Sequence, residues 1–279
     1  MASQKTVVIE YLFDKYWDAN NNILTKTLMT IDDVGKAIRA CRKTHGISLS
    51  DNNPANFLKD ILRSKNASKH WPASVAKRRF TAVQRTGEAC FEFIPFAPGQ
   101  TEAFPEKFAV DLHAPRFPIQ STSIPLVTKS LGRSDETWHI QVAVQLRVVE
   151  THFAVAGAFG LLELAHLQSG IKLRKTEIDA LFLGKAGTAS DPFSVLVTCE
   201  AKQAKDPLIE SQIINQAQAS FAANSHVDVT VPIGLRAIKG VGFYVVEFEA
   251  VKRDFASGLT QLDVASHSII ELKPAVKGI

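Results

Sequence analysis

The chain has 279 residues, 46% apolar and 22% charged, ordinary values for a globular protein and enough for about two domains or one large one. Its three cysteines (Cys41, Cys90, Cys199) form no CxxC pair, which excludes a disulfide scaffold and a cysteine-built zinc site and predicts a reducing, cytoplasmic setting. The net charge of +4 is unevenly spread: residues 36–85 hold 12 Lys/Arg against only Asp51 and Asp60, whereas residues 101–279 hold 17 against 19 Asp/Glu. A basic block beside a neutral-to-acidic half is the footprint of a polyanion-binding module joined to something else.

Lys5, Glu10, Asp14 and Lys15 stand where a signal peptide would need an apolar run. The apolar stretch Phe153 to Leu162 is far short of the roughly 18 residues of a membrane span, so a soluble intracellular protein is expected. Residues 5–17 fit either a helix or a strand. Thr30 followed by Ile31, Asp32 and Asp33 reads as a helix cap with acidic residues in the first turn. Val34, Ala37, Ile38 and Cys41 then recur at helical spacing until His45-Gly46. Asn53-Pro54 predicts a second helix start, with Phe57, Leu58, Ile61 and Leu62 as its apolar face. The runs 80–85 and 88–93 flank Thr86-Gly87 as a hairpin would. Helix, turn, helix and basic hairpin, in that order over residues 25–95, predict a winged helix-turn-helix within an N-terminal domain of residues 1–95.

Six prolines between Pro95 and Pro125 mark residues 96–130 as a linker region. Residues 138–153 are too continuously apolar to divide between strand and buried helix. Strands are then expected at 171–173, 178–183 and 194–199, with turns at Gly184 and Gly187. A helix over 207–221 follows, capped by Asp206 with Pro207 in its first position, and two β-rich runs cover 227–238 and 243–251. The resulting order, β-β-β-α-β-β with a possible helix in front, places an α/β (α+β) domain over residues 131–279.

Two segments carry chemistry, Glu177-Ile178-Asp179-Ala180-Leu181-Phe182 and Val195-Leu196-Val197-Thr198-Cys199-Glu200-Ala201-Lys202. Glu200 and Lys202 share one face of a strand. Hairpin pairing brings Asp179 to Glu200, and two converging carboxylates are costly unless a divalent cation neutralises them. Oxygen ligands with open positions suit Mg²⁺, and Lys202 beside them would orient or deprotonate a water or stabilise charge on a phosphate.

In these residues the chain resembles the PD-(D/E)xK nuclease superfamily, which includes many type II restriction endonucleases and Holliday-junction resolvases. The matching text is TEIDALF…VLVTCEAK, and the likeness covers roughly residues 140–250. Ile178 stands where the motif's proline would be, and the interval between Asp179 and Glu200 is long, with residues 184–192 read as a turn-like insert. The resemblance implies a mixed sheet flanked by helices, Asp179 and Glu200 as metal ligands and Lys202 as the catalytic lysine. It also implies a further acid from the preceding helix, for which Glu150 is the first candidate and Glu163 the second; Glu177 is a spare ligand or a surface residue. The alternative makes Glu200 and Lys202 an exposed ion pair on an edge strand.

His139, His152 and His166 lack metal-ligand spacing and are read as structural, and Cys199 points away from Glu200 as a small buried apolar residue. No Walker motif or dinucleotide fingerprint is present, so no ATP is expected. Lys59, Arg63, Lys65 and Lys69 are the candidates for DNA contact, with Arg78, Arg79 and Arg85 on the wing. The expected function is a Mg²⁺-dependent type II restriction endonuclease acting on double-stranded DNA as a homodimer. A structure-directed repair or resolvase nuclease and a non-catalytic DNA-binding protein are the rivals.

Overall fold

The computed structural model describes residues 3–62, 67–85, 87–173 and 176–279. It divides into two compact units, residues 1–106 and 107–279.

The first unit opens with helix α1 (Gln4–Tyr16), resolving the ambiguity of residues 5–17: Val8, Ile9, Leu12 and Phe13 recur at helical spacing and are all buried. A short ribbon, β1 (Trp17–Asp18) with β2 (Ile23–Leu24), precedes β3 (Leu28–Thr30) and α2 (Ile31–His45). The expected cap on α2 is a full capping box. Thr30 Oγ1 accepts from the Asp33 amide, Asp33 accepts from the Thr30 amide, and Gly46 ends the helix at φ 63°.

The second expected helix is broken. Pro54–Asn56 forms a 3₁₀ turn, Asn53 makes no side-chain cap bond, and only α3 (Lys59–Leu62) is α-helical before the chain continues through α4 (Ala67–His70) and α5 (Ala73–Lys77). Phe57, Leu58 and Ile61 are nonetheless buried as the apolar pattern requires. The hairpin forms as expected from β4 (Phe80–Gln84) and β5 (Ala89–Pro95), and β3 adds to β5, giving the sheet order β3-β5-β4.

The linker expected over 96–130 is corrected. Residues up to 106 pack on the first unit, where the Thr81 hydroxyl donates to the Ala103 carbonyl at 2.5 Å. Residues from 107 onward belong to the second unit, where β6 (Arg116–Gln120) pairs in parallel with a strand near residue 270. Its Pro118 is tolerated because β6 lies at the sheet edge, where a missing amide costs no ladder bond.

The second unit is a mixed sheet flanked by helices on both faces. After α6 (Leu126–Leu131), the unassigned apolar run becomes two helices, α7 (Glu136–Gln145) and α8 (Val148–Val155), separated by Arg147 at φ 53°. Three long strands follow, β7 (Leu161–Leu173), β8 (Thr176–Thr188) and β9 (Asp191–Lys202). Gly184 is no turn. It pairs with Val195 within the β8–β9 ladder, so the insert of 184–192 is an extension of the hairpin.

Helix α9 (Glu210–Ala223) starts after Ile209 rather than at Pro207. Leu208 is buried against Gly234, where even a Cβ would meet its Cδ1 at 2.6 Å, so this segment is held extended on the sheet. The chain then forms β10 (Val229–Ile238), β11 (Gly242–Phe248), β12 (Val251–Lys252), α10 (Arg253–Ala256) and β13 (Val264–Lys273), the last unforeseen in the sequence. The strand order is β6-β13-β11-β10-β9-β8-β7, with β9–β10 and β6–β13 parallel and the other neighbours antiparallel.

Helices α7 and α8 bury Trp138, Ile140, Val142 and Val149 with Phe182, Val197, Cys199 and Ile233 in one core. Helix α9 covers β8, β9 and β10. Among the described residues no helix is long and apolar enough to cross a membrane.

Candidate active site

The site lies where β8 begins and β9 ends. Ala180 and Cys199 are paired in the antiparallel ladder, so Asp179 and Glu200, one residue further on each strand, stand opposite each other. The Asp179 Oδ2 accepts from the Ala201 amide at 2.8 Å. The ladder thus delivers the acidic pair foreseen from the sequence. Cys199 faces the α7–α8 core, as its position next to Glu200 required.

Glu200 and Lys202 are 4% and 6% exposed on a central strand, which overturns the exposed, edge-strand alternative. The Lys202 Nζ lies 2.5 Å from Glu200 Oε1 and 3.1 Å from Glu136 Oε1. The other Glu200 oxygen accepts from the Gln216 Nε2, which also donates to the Glu177 carbonyl at 3.0 Å. Gln216 reaches it because Ile213, Gln216, Ala217 and Ser220 form the buried face of α9.

Glu136 is the acid that sequence reasoning missed. It opens α7, directly after the capping residue Asp135, and its position at a helix start over the strand ends brings it to Lys202. The signal was present in Asp135-Glu136, but only a helical assignment of the following apolar run would have raised it. The two acids proposed instead are elsewhere. Glu150 is on α8, which packs on β7, β11 and β13, and Glu163 is exposed on β7 opposite Lys185. Lys185 is six residues along β8 from Asp179, about 20 Å at strand spacing. Glu177 is an exposed residue facing Lys172 across the hairpin.

Electrostatics follow from burial. Desolvation, then the neighbouring Glu200 carboxylate, raise the Asp179 pKa from 3.8 to about 7, against the Ala201 amide and Lys202. Burial alone would lower the Lys202 pKa, but the Glu200 and Glu136 carboxylates outweigh it and hold the ammonium charged. Lys202 is therefore a cation at neutral pH, suited to stabilising negative charge rather than to taking a proton.

Among the described residues no group of three His, Cys, Asp or Glu side chains is arranged to hold a metal ion by itself. The donor set still fits a hard divalent cation that keeps several waters, for which one or two carboxylates suffice. Asp179 and Glu200 supply two carboxylates. The Gln216 Oε1, beside Glu200, and the Thr198 Oγ1, on the same strand face, are buried polar atoms without a hydrogen-bond partner. Such atoms are served by water, and coordinated water would serve them too.

An acid whose folded pKa lies above its unfolded one penalises the fold as pH rises from the unfolded value toward the folded value. Without divalent cations, Asp179→Asn is expected to raise the melting temperature of the second unit at pH 8 by roughly 4–8 °C, equivalent to about 2 kcal/mol. The gain should shrink toward pH 4. Differential scanning fluorimetry in EDTA across that range checks it, and an unchanged or lower melting temperature at pH 8 counts against the buried-charge account.

The DNA-contact candidates fare unevenly. Arg63 and Lys65 lie outside the described residues. Lys69 is exposed on α4, and Lys59, half-buried on α3, has an interaction of its own. Arg78 stacks over Trp17 with its guanidinium carbon 5.1 Å from the ring centroid and reaches Asp14 at 3.4 Å. Arg79, at φ 63°, donates to the Gln100 carbonyl at 2.7 Å, and Arg85 grips Glu92 through Nε at 2.9 Å and Nη2 at 2.6 Å. These three arginines are therefore engaged within the unit.

The structural reading of the histidines agrees with their placement. His139 is buried against the Gly278 carbonyl, His152 sits in a buried polar cluster, and His166 contacts Ser169. Compared with known family models, curated proteins and solved structures, the chain matches none.

Proposed function

We propose that this chain is a Mg²⁺-dependent endonuclease that hydrolyses phosphodiester bonds of double-stranded DNA, with a type II restriction enzyme as the most specific form of that reading. The observation that carries it is the pairing of Asp179 with Glu200 across β8 and β9, with the buried Lys202 ammonium 2.5 Å from Glu200. A bound Mg²⁺ would supply Lewis-acid polarisation of a phosphate oxygen and acidify a coordinated water. Asp179 and Glu200 would hold it. Lys202, released from Glu200, would place its positive charge against the phosphate where negative charge develops. Gln216 keeps Glu200 in position by holding its second oxygen.

The first unit supports the DNA part of the reading. Its elements run α1, the β1–β2 ribbon, β3, α2, a 3₁₀ turn with the short helices α3, α4 and α5, then β4 and β5, with the sheet order β3-β5-β4; apart from the ribbon and the broken second helix, this is the arrangement expected of a winged helix. One site per chain cuts one strand, so cutting a duplex would take a homodimer with two-fold symmetry. A repair or resolvase nuclease directed by DNA structure is the second reading. It is favoured by the engagement of Arg78, Arg79 and Arg85 in contacts within the unit, which leaves them less free to read bases.

The test is incubation of purified protein with methylated and unmethylated phage DNA, in Mg²⁺ or in EDTA. Discrete fragments that vanish in EDTA support the restriction reading. Cutting confined to branched or flapped substrates favours the second. Intact DNA in every lane, with a mobility shift in EDTA, overturns both in favour of a binding protein without catalysis.

A further inference from the structure

The second unit carries its charges in a polar arrangement along its strands. β9 and β10 are parallel, with Glu200 opposite Gly234 and Lys202 opposite Arg236, so both strands end at the site. Three residues beyond Lys202 comes Lys205, and three residues beyond Arg236 comes Lys239; both are exposed. Lys277 joins them. The Gly240 amide donates to the Ile279 carbonyl at 2.9 Å, which brings the segment carrying Lys277 beside the Lys239-Gly240 turn, and Lys277 is itself exposed.

Acids at this end are largely occupied. Glu271 takes both Arg116 and Lys273, Asp135 takes Arg133, and Glu200 and Glu136 take Lys202. Glu177 faces Lys172 in register, and Asp206 follows Lys205. The rim is therefore positive overall even beside the acidic pair.

The opposite end has the reverse sign. Asp191 at the start of β9, Asp228 before β10, Glu249 after β11 and Asp263 before β13 are all exposed there, with Glu163 near the start of β7. Cations among the described residues there include Lys107, Lys185, Lys252 and Arg253; Lys107 is paired with Glu210, Arg253 with Asp228, and Lys185 is hydrogen-bonded to Ser194. A field with positive charge at one end and negative at the other orients a polyanion toward the positive end.

We infer that Lys205, Lys239 and Lys277 form the rim along which the phosphate backbone of duplex DNA lies as it reaches Asp179, Glu200 and Lys202, with the acidic end of the unit turned away. This rests on the nuclease reading for its substrate and adds the surface, distinct from the basic first unit, that delivers the backbone to the site. Exposed lysines act as point charges on phosphates, so they contribute affinity and salt dependence without base preference.

The experiment uses the full chain with Lys205→Ala, Lys239→Ala and Lys277→Ala combined. Binding of a labelled 30-base-pair duplex (a convenient length of about three helical turns) is read by fluorescence anisotropy in EDTA over a series of salt concentrations. The expected result is a fall in affinity of about 10–100-fold near 0.1 M salt and a loss of about 2–3 from the slope of log affinity against log salt. The comparison variant, Asp191→Asn with Asp263→Asn, should keep the wild-type slope. An unchanged slope in the triple variant, in a protein whose melting curve matches wild type, overturns the rim. So does a wild-type chain that binds no duplex. Because binding is read without metal, a reduced slope in a protein that never cuts DNA keeps the rim and removes the hydrolytic reading, whereas cutting with an unchanged slope does the reverse.

Discussion

Lys202→Met is expected to lower DNA cleavage by a factor of about 10³ or more while leaving duplex binding within a few-fold of wild type. Among the described residues the Lys202 ammonium is the cation that pairs with Glu200, at 2.5 Å, and it is buried. Removing a donor aimed at developing charge in a water-excluded site costs about 10²–10³ in rate in comparable cases. Here the same change also leaves Glu200 and Glu136 without their counter-ion. Methionine keeps the length of the stem and much of its packing. Single-turnover cleavage in Mg²⁺ and anisotropy in EDTA provide the two readouts. Cleavage within ten-fold of wild type would remove Lys202 from the reacting centre and leave it as a structural ion pair.

The second large effect is on stability. Glu247 is 0% exposed on β11, and its carboxylate accepts from the Ala158 amide at 2.8 Å, the Phe159 amide at 2.7 Å and the Ser266 hydroxyl at 2.6 Å. The His152 Nε2 lies 3.4 Å away, and its Nδ1 is 2.8 Å from the Ser268 hydroxyl. Burial alone would raise the Glu247 pKa, but the His152, Ser266 and amide contacts outweigh it, and the net shift is downward.

Glu247→Ala strands several buried donors at once and is expected to cost about 3–5 kcal/mol. That corresponds to a drop of roughly 10 °C in the melting temperature of the second unit. Glu247→Gln, which keeps one acceptor oxygen and the volume, should recover part of the loss. A depressed folded pKa means that this stabilisation is present above the unfolded carboxyl value, near 4.5, and disappears as pH falls through the folded value. The difference between wild type and Glu247→Gln should therefore narrow in acid. A melting temperature within 2 °C of wild type for Glu247→Ala, by about the resolution of the stability scale, would show that the cluster bears no load.

The local signals that hold do so because they act over a few residues. The Thr30–Asp33 box, the Gly46 stop and the hairpin around Gly87 depend on side chains no more than a turn away. The Asp179–Glu200 pairing was also legible, since a hairpin fixes its own register. Residues 138–153 were opaque because both apolar alternation and full burial satisfy the same letters, and the break at Arg147 is a backbone event with no side-chain signature. Glu136 followed from that opacity. β6 was unreadable for another reason: it is a strand only by pairing with β13, about 150 residues away, and Pro118 argued locally against pairing. The helix at Asp206-Pro207 failed because burial of Leu208 outweighed a favourable cap.

The ties of α7 bear on when the site is completed during synthesis. The Trp138 indole donates to the Lys277 carbonyl at 3.2 Å, and the His139 Nε2 meets the Gly278 carbonyl at 3.0 Å. The helix turn that carries Glu136 is thus fastened to residues made some 140 positions later. Contacts of such long sequence separation form late and slow the folding of the unit that needs them. A nascent chain halted before residue 264 holds Asp179, Glu200 and Lys202 but lacks β13 and the 277–278 anchor. Its third carboxylate, Glu136, keeps Lys202 and the packing of α7 on β8 and β9 but lacks this tie. The full set of ties on α7 therefore exists only once the far side of the sheet has been translated.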